Sequence, residues 1–332
     1  MTKPGEVTPG MNAAGPAARG RSTPRTLRTK RFDALTRRRL RTGLLFVSPW
    51  VVGFLAFTLY PFVATLFYSF TNYDIVSNAR WVGLANYQHL VHDGLFWTAL
   101  WNTAFYTVLE VPLSTVVAIG LAMLLNMKVR GLGVYRTVFY LPTVVPMVAS
   151  SILWLWLFNP SFGIVNDLLT DVHVPGPGWM FSTLWAKPTF VLLGIWGSGA
   201  PMVVYLAALQ GIPQEMYEVA HIEGANAWHR IRYVMLPMIS PAILFNVILA
   251  LVACLQYFTQ AYVMTAGGPN SQPGGPDNST LFYSIYLYRQ AFQELHLGYA
   301  SAMAWILFVI VLIITLLLFR SSSRWVYYAG RD

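Results

Sequence analysis

The segment EVAHIEGANAWHRIRYVMLP, residues 218–237, is conspicuously polar in a chain that is otherwise strongly apolar. Its charges, its two histidines and its glycine separate one long apolar run that ends near residue 210 from another that begins near residue 240. A connection between antiparallel helices needs about 2–8 residues, so the loop from Gly211 to Pro237 is far longer than connectivity requires. The excess length indicates a loop with a function of its own.

The composition on either side of this loop excludes an ordinary soluble domain. The 332 residues are 56% hydrophobic and only 11% charged, whereas a soluble domain carries about 25% charged residues. The apolar residues gather in blocks long enough to cross a bilayer as helices, which takes about 20 residues each. We therefore predict an all-α integral membrane protein with six transmembrane helices, at residues 44–68, 98–126, 134–158, 188–210, 240–263 and 299–320.

The distribution of basic residues predicts how these helices are oriented. Three of the 22 Lys and Arg residues, Arg80, Lys187 and Arg289, lie in the loops of one side. The other nineteen lie on the opposite side, which the positive-inside rule makes cytoplasmic. Both termini and the long polar loop are then cytoplasmic. These basic segments are 1–43, 127–136, 211–237 and 320–332.

The predicted organisation has three parts. Residues 1–43 form a cytoplasmic tail that is Pro-, Gly- and Ala-rich and then basic, residues 44–320 form the six-helix domain, and residues 321–332 form a second cytoplasmic tail. A Pro- and Gly-rich stretch of this kind is typical of disorder. Because the net charge of +9 is concentrated beside the first apolar run, we expect contact with membrane lipid headgroups and no nucleic-acid partner.

Within the long loop, the sequence predicts two short helices that meet at Gly224. Pro213 opens the loop, Pro237 closes it, and glycine between them can adopt a positive φ angle or allow another backbone to approach closely. Both ends of such a helical pair continue into transmembrane helices, so a soluble partner that gripped the pair could move them. The alternative is an amphipathic segment that only anchors the fold at the membrane surface.

The spacing inside the loop resembles that of a known family. Glu218-Val219-Ala220 is followed after three residues by Gly224, and after nine more by 234–237, Val-Met-Leu-Pro. This is similar to the conserved cytoplasmic loop of ABC importer permeases, which reads Glu-Ala-Ala, three residues, Gly, nine residues and Ile-x-Leu-Pro. The two departures, Val219 and Val234, are conservative in size and polarity.

In that family the loop is the coupling helix, which sits in a cleft of a cytoplasmic ATPase. The resemblance therefore implies a docking face and a return to the membrane at defined positions of this chain. The implied docking residues are Glu218, Ala220 and Gly224, and the implied return to the membrane is at Leu236 and Pro237.

Other stretches narrow the resemblance to carbohydrate importers. They are WVGLANYQHL (81–90), YLPTVVPMVASSILWLWLFNPSFGIVN (140–166), GGP (267–269) and AFQELHLGYASAMAWILF (291–308). They look most like the first permease of maltose, lactose and glycerol-phosphate importers, over residues 40–325. GGPNSQPGGPDNST (267–280) is longer than the turn found there. The resemblance implies a bacterial plasma membrane location, a second homologous permease, two ABC ATPase subunits and an extracytoplasmic solute-binding protein.

Motifs for chemistry are missing from the sequence. No G-x-x-x-x-G-K-[ST] loop is present, so we expect ATP and Mg²⁺ to be bound by the partner ATPase and no cofactor to be bound here. The sequence also has no G-x-S-x-G, H-E-x-x-H or C-x-x-C, and we predict no catalytic residue. HLVHD (89–93) is a weak metal pattern that is more typical of a solvated surface, so we predict no metal site.

The fifth predicted span suggests where a solute binds. Asn246, Ala250, Ala253, Tyr257 and Gln260 share one helix face, and such a face should avoid lipid. Small residues between polar ones leave room for a sugar, whose hydroxyls the amides and the phenol could bind. Close helix packing through the same small residues is the alternative. Gln256 flanks this face and completes the predicted set.

The fourth span adds two candidates. Its GIWGSGAP (194–201) predicts an irregular helix, which is tolerated at membrane depth where the backbone is buried or lines a cavity. We predict that Trp196 stacks on a sugar and that Ser198 hydrogen-bonds it. Glu110 is the only acid within a predicted span. It would be the coupling acid of a proton-driven carrier, or a structural carboxylate bonded to free backbone groups near Pro112.

Together these observations predict the membrane permease of an ATP-driven importer that carries a sugar or oligosaccharide by alternating access. The alternatives are an importer of the same type for a non-sugar solute and a proton-coupled secondary carrier that uses Glu110. An integral membrane enzyme is a further class, against which the missing catalytic motifs count.

Overall fold

A computed structural model describes residues 34–127, 130–266 and 273–327, with side-chain surroundings from residue 39. Most of the predicted N-terminal tail and part of the extended 267–280 loop lie outside the described residues. The described residues up to Leu59 form one compact unit, and those from Tyr60 onward form a second.

The first unit is helical throughout its described part. Helix α1 (Ala34–Phe54) is followed by a π-helical turn at Leu55–Leu59. The helix begins well before the predicted start of the first span because Leu and Arg, which dominate residues 35–41, are strong helix formers.

The second unit begins with a short antiparallel strand pair. In it, Thr71 lies opposite Trp81 and Asn72 lies opposite Arg80. All other regular structure among the described residues is helical, which confirms the predicted all-α class. The helices and strands are α2 (Tyr60–Ser69), β1 (Thr71–Asn72), β2 (Arg80–Trp81), α3 (Ala85–His92), α4 (Gly94–Leu125), α5 (Leu132–Val144), α6 (Met147–Leu157), α7 (Ile164–Asp171), α8 (Ala186–Trp196), α9 (Gly199–Gln210), α10 (Gln214–Ile222), α11 (Ala227–Arg230), α12 (Leu236–Met238), α13 (Ser240–Leu255), α14 (Thr259–Ala266), α15 (Tyr283–Tyr288) and α16 (Leu297–Ser322).

Four helical stretches among the described residues are long and apolar enough to cross a membrane. Two further candidates are pairs of helices bent at a break: α5 and α6 meet at 101°, and α8 and α9 meet at 44°. If each bent pair is one span, the total is six, the predicted number. The four long stretches are Arg39–Ser69, Gly94–Leu125, Ser240–Ala266 and Leu297–Ser322.

Three predicted spans are interrupted, and two of these interruptions, in the third and fifth spans, were not expected. The prediction of a single helix over 134–158 was wrong. The chain turns sharply at Val145-Pro146, where Val145 is extended at ψ 128°. A residue before proline is pushed out of the α region. The irregularity predicted at 194–201 is confirmed by the break at Gly197-Ser198. The fifth span is also interrupted, since α13 ends at Leu255 and α14 begins at Thr259.

The core of the second unit consists of two buried clusters, and α4 contributes to both. The first is built around four aromatic rings, with centroids 4.8–5.7 Å apart in the contacting pairs. The second contains the last turns of α4 and α9, beside the long polar loop. Aromatic pairs of this kind add about 0.5–1.5 kcal/mol each beyond the area they bury. The four rings are Tyr106, Phe190, Tyr257 and Phe282.

Gly199 sets the approach of α9 to α5. A Cβ at this position would overlap the Phe139 carbonyl oxygen, a backbone atom that cannot rotate away. We expect Gly199→Ala to lower the free energy of unfolding by about 1–3 kcal/mol, the usual cost of overpacking. Thermal unfolding of the purified protein in detergent measures this effect. Gly120→Ala is the matched control, because its added Cβ meets no atom within 4 Å, and an equal loss in both variants would contradict the packing argument.

Candidate functional site

The three helix interruptions converge on one cavity of about 430 Å³. It is lined by the α5–α6 junction (142–150), by the α8–α9 break, by the α13–α14 break and by the middle of α4. The volume is that of a small-molecule site. Broken helices at membrane depth are tolerated where they line a cavity and are common at transporter solute sites. The cavity is therefore the candidate solute site.

Four of the six predicted solute-binding residues line this cavity: Trp196, Gln256, Tyr257 and Gln260. The other two do not. Ser198 is buried at the α8–α9 break but is not part of the lining. Asn246 lies one turn before the lining segment, and its amide donates to the Ala242 carbonyl at 2.9 Å. Ala250 and Ala253, the small residues of the predicted face, do line the cavity.

The polar groups of the lining have free hydrogen-bonding capacity. The side-chain amides of Gln256 and Gln260 make no hydrogen bond to another described residue, and the Tyr257 ring packs beside the Tyr106 ring, with centroids 4.8 Å apart. The Trp196 ring is held edge-on by Trp154, with centroids 6.0 Å apart. An indole, a phenol and two unpaired amides can together stack on a sugar ring and bind its hydroxyls.

Sequence reasoning missed the wall formed by α4 and the α5–α6 junction. Tyr106 is buried and lines the cavity, and so do Pro142, Thr143, Met147 and Ser150. The signal in the sequence was the pair of prolines at 142 and 146, since the second predicts an interruption of the apolar run. The missed residues complete the lining of the cavity.

Glu110 lies midway along α4, in the cavity wall, and is only 7% exposed. Its Oε2 accepts a hydrogen bond from Cys254 Sγ at 3.0 Å. The backbone groups near Pro112 that were the expected structural partner make no hydrogen bond to this carboxylate among the described residues. Gly194 of α8 lies so close that an added Cβ would come within 2.8 Å of Glu110 Oε1. The carboxylate thus lies where α4, α8 and α13 meet.

The long polar loop has the predicted pair of short helices. Helix α10 ends in a Schellman motif, in which Ala225 N–H donates to Ala220 O and Gly224 N–H donates to His221 O. Of the two roles expected for Gly224, the structure has the positive φ angle, +74°; an added Cβ would meet no described atom within 4 Å, so no backbone approaches closely there. Asn226 then caps α11 by accepting from the His229 amide. The glycine is required by this turn, because other residues strain in the left-handed region.

The five residues implied for docking and for the return to the membrane differ in exposure. Glu218 and Gly224 are exposed, Ala220 is buried against the loop, and Leu236 and Pro237 are partly buried. Large apolar side chains are exposed among them, as they would be both on a surface that another protein covers and on one that lies against a membrane. These exposed side chains are Met216, Val219, Ile222, Trp228 and Tyr233.

At the opposite end of α4 from the loop, Asp93 joins three helices. Its Oδ1 accepts from the Leu95 and Phe96 amides at the start of α4, and its Oδ2 accepts from the hydroxyls of Tyr286 and Tyr299 at 2.5 Å each. Partial burial raises the pKa of Asp93, but the phenol and amide hydrogen bonds outweigh it, so the pKa lies below its ordinary value of 3.8. The carboxylate therefore stabilises this end of the bundle in its ionised form.

We expect Asp93→Asn to lower the free energy of unfolding by about 1.5 kcal/mol, because charge-assisted hydrogen bonds become neutral at a partly exposed site. The depressed pKa gives the sign of the pH dependence. The stabilisation is present above pH 3.8 and is lost as the pH falls through the folded-state pKa. Thermal unfolding of wild type and variant between about pH 3 and 7 tests this. Exposed Asp171→Asn is the control, and equal pH dependence of Asp93→Asn and wild type would contradict the assignment.

Comparisons with known proteins agree on one family. Residues 111–327 match the family model described as binding-protein-dependent transport system inner membrane component. The probable ABC transporter permease protein YesP of Bacillus subtilis is 39% identical, covering 87% of this chain and 93% of the relative. The lactose transport system permease protein LacF of Rhizobium radiobacter is 36% identical, covering 85% and 94%. A bacterial ABC transporter involved in import of the acidic polysaccharide alginate matches with TM-score 0.76 and 25% identity, covering 87% and 98%.

Proposed function

The chain belongs to the inner membrane components of binding-protein-dependent transport systems, and from this membership we propose that it forms part of the pathway for a sugar or oligosaccharide. The observation that carries the proposal is the cavity where three broken helices meet, with Trp196, Gln256, Tyr257 and Gln260 in its wall. Stacking on an indole and hydrogen bonding to amides suit a ring that carries hydroxyl groups. Sequence relatives and a structural relative transport sugars, lactose and alginate among them.

The complete importer would contain a second permease, two ABC ATPase subunits and an extracytoplasmic solute-binding protein. This chain would contribute no ATPase site of its own, and ATP with Mg²⁺ would be bound by the ATPase subunits. The 211–237 loop would dock on one ATPase through Glu218, Ala220 and Gly224. Its exposed apolar side chains support this assignment.

The mechanism follows from how the loop is joined to the cavity. Helix α9 leads into the loop and α13 leads out of it, and both helices begin or end at breaks that line the cavity. Closure of the ATPase dimer on ATP would pull the loop, and the two helices would carry the displacement to the cavity wall. The cavity then opens to the binding protein, and ATP hydrolysis returns it to the cytoplasmic side.

A proton-coupled carrier that uses Glu110 is not favoured, because family membership assigns the chain to a transport system that depends on a binding protein. An importer of the same type for a non-sugar solute stays open, since the loop does not define the cargo. The free amides and the indole in the cavity favour a glycosyl cargo over an apolar one.

The experiment that tests the proposal is isolation of the tagged protein from its native membranes in mild detergent, followed by reconstitution with the co-purified subunits. We expect an ATPase and a second permease to co-purify, and we expect ATP-dependent uptake of an oligosaccharide by vesicles that contain the binding protein. Recovery of the chain alone, or uptake driven by a proton gradient without ATP, would refute the proposal.

A further inference from the structure

The cavity has a one-sided charge. Among the described residues that line it, Glu110 is the only one with a carboxylate, and none is Lys, Arg or His. Resting on the proposed function, we propose that Glu110 is a specificity-determining residue that favours uncharged or cationic glycosyl groups and disfavours anionic ones, such as uronates and phosphate esters.

The hydrogen bonding of Glu110 leaves it able to bind a solute. A carboxylate can accept about four hydrogen bonds, and the described residues supply one, from the Cys254 thiol, which is a weak donor. Hydroxyl groups or an ammonium group of a solute in the cavity would supply the missing donors, whereas a second carboxylate or a phosphate would supply none.

The surroundings strengthen the effect of this charge. Low-dielectric walls lined by charge of one sign focus the electric field in a cleft, and the aromatic rings of Tyr106, Tyr257 and Trp196 form such walls here. Lys187 of α8 does not lie in the lining, and its Nζ stands 5.1 Å from the centroid of the Phe105 ring. An anionic solute would therefore meet Glu110 with no cation of the lining to offset it.

A purely structural role makes a different prediction. Glu110 contacts Cys254 and Gly194, so it could serve only to hold α4, α8 and α13 together. In that case its removal would destabilise the protein without changing how the cavity treats charged molecules. The two roles are therefore distinguished by measuring whether the cavity admits a small cation faster than a small anion, without any cargo.

The chain has one cysteine, Cys254, so a single reporter thiol can be placed in the cavity. Cys254→Ser keeps a donor beside Glu110, and Ala253→Cys places the reporter at an exposed position in the lining. The assembled transporter in lipid nanodiscs is treated with 2-(trimethylammonium)ethyl methanethiosulfonate, a cation, and with 2-sulfonatoethyl methanethiosulfonate, an anion. The rate at which each reagent modifies the thiol is measured. The cation-to-anion ratio of these two rates is then divided by the same ratio for free cysteine.

We expect a normalised cation-to-anion ratio of about tenfold or more with Glu110 present, since the two reagents feel opposite Coulomb energies from it. Glu110→Gln should bring the ratio close to that of free cysteine, and Glu110→Asp should preserve most of it. A Ser321→Cys thiol, exposed at the end of α16 and outside the cavity, is the control and should not respond to position 110.

A ratio near that of free cysteine with Glu110 present would overturn the inference, and this reading needs no variant at position 110. An elevated ratio that persists in Glu110→Gln would overturn it as well. Because the thiol assay uses neither cargo nor ATP, its failure is distinct from failure of the proposed function, which would be seen as absent ATP-dependent uptake of oligosaccharide.

Discussion

Replacing Gly224 with valine is expected to reduce ATP-dependent uptake at least about tenfold and to release the ATPase during purification. Gly224 closes the Schellman motif at φ +74°, where an ordinary L-residue costs about 1–2 kcal/mol and a β-branched one more. The strain would be relieved by unwinding the end of α10, which displaces the implied docking face. Vesicle uptake and co-purification measure the two effects.

Gly83→Val is the matched control for this prediction. Gly83 has φ +62°, and an added Cβ would meet no atom within 4 Å at either glycine, so both substitutions impose similar backbone strain in open space. Gly83 lies between β2 and α3, outside the 211–237 loop. We expect this control to keep its ATPase. If both variants lost uptake equally, the cause would be general destabilisation and the docking argument would be wrong.

The loop could be predicted in detail because its requirements are local. A turn with positive φ needs glycine, and prolines at the two ends of the loop, Pro213 and Pro237, mark where its helices begin and end. The long apolar runs likewise predicted the helical class and the position of most spans. The helical class, the position of most spans and the glycine turn depend on the local sequence, so contacts between distant segments did not change them.

The cavity could be predicted only in part, because its wall depends on contacts between distant segments. The face predicted for the fifth span includes Tyr257, which lies in the α13–α14 break, and Gln260, which lies on α14, and both line the cavity. Helical periodicity cannot tell which turn reaches the cavity, and Asn246 lies one turn away from it. The role of Asp93 depends on tyrosines 193 and 206 residues later in the chain. No local pattern in the sequence carries that information.

Ala253→Trp is expected to reduce uptake to background while the ATPase remains bound. Ala253 is exposed to the 430 Å³ cavity, at the end of α13. An indole there occupies much of the volume that a sugar ring would need and covers the free amides beside it, Gln256 and Gln260. Because the 211–237 loop is unchanged, co-purification of the ATPase should match that of the wild type.

Leu249→Trp is the control for this second prediction. Leu249 lies one turn earlier on α13, is 53% exposed and does not line the cavity, so it tests the effect of a bulky side chain on the same helix. We expect it to retain most of the uptake. If Ala253→Trp transported as well as the control, the cavity would not be the solute site. If it lost the ATPase as Gly224→Val should, the substitution would have disturbed the loop, and the separation of cavity from coupling surface would be wrong.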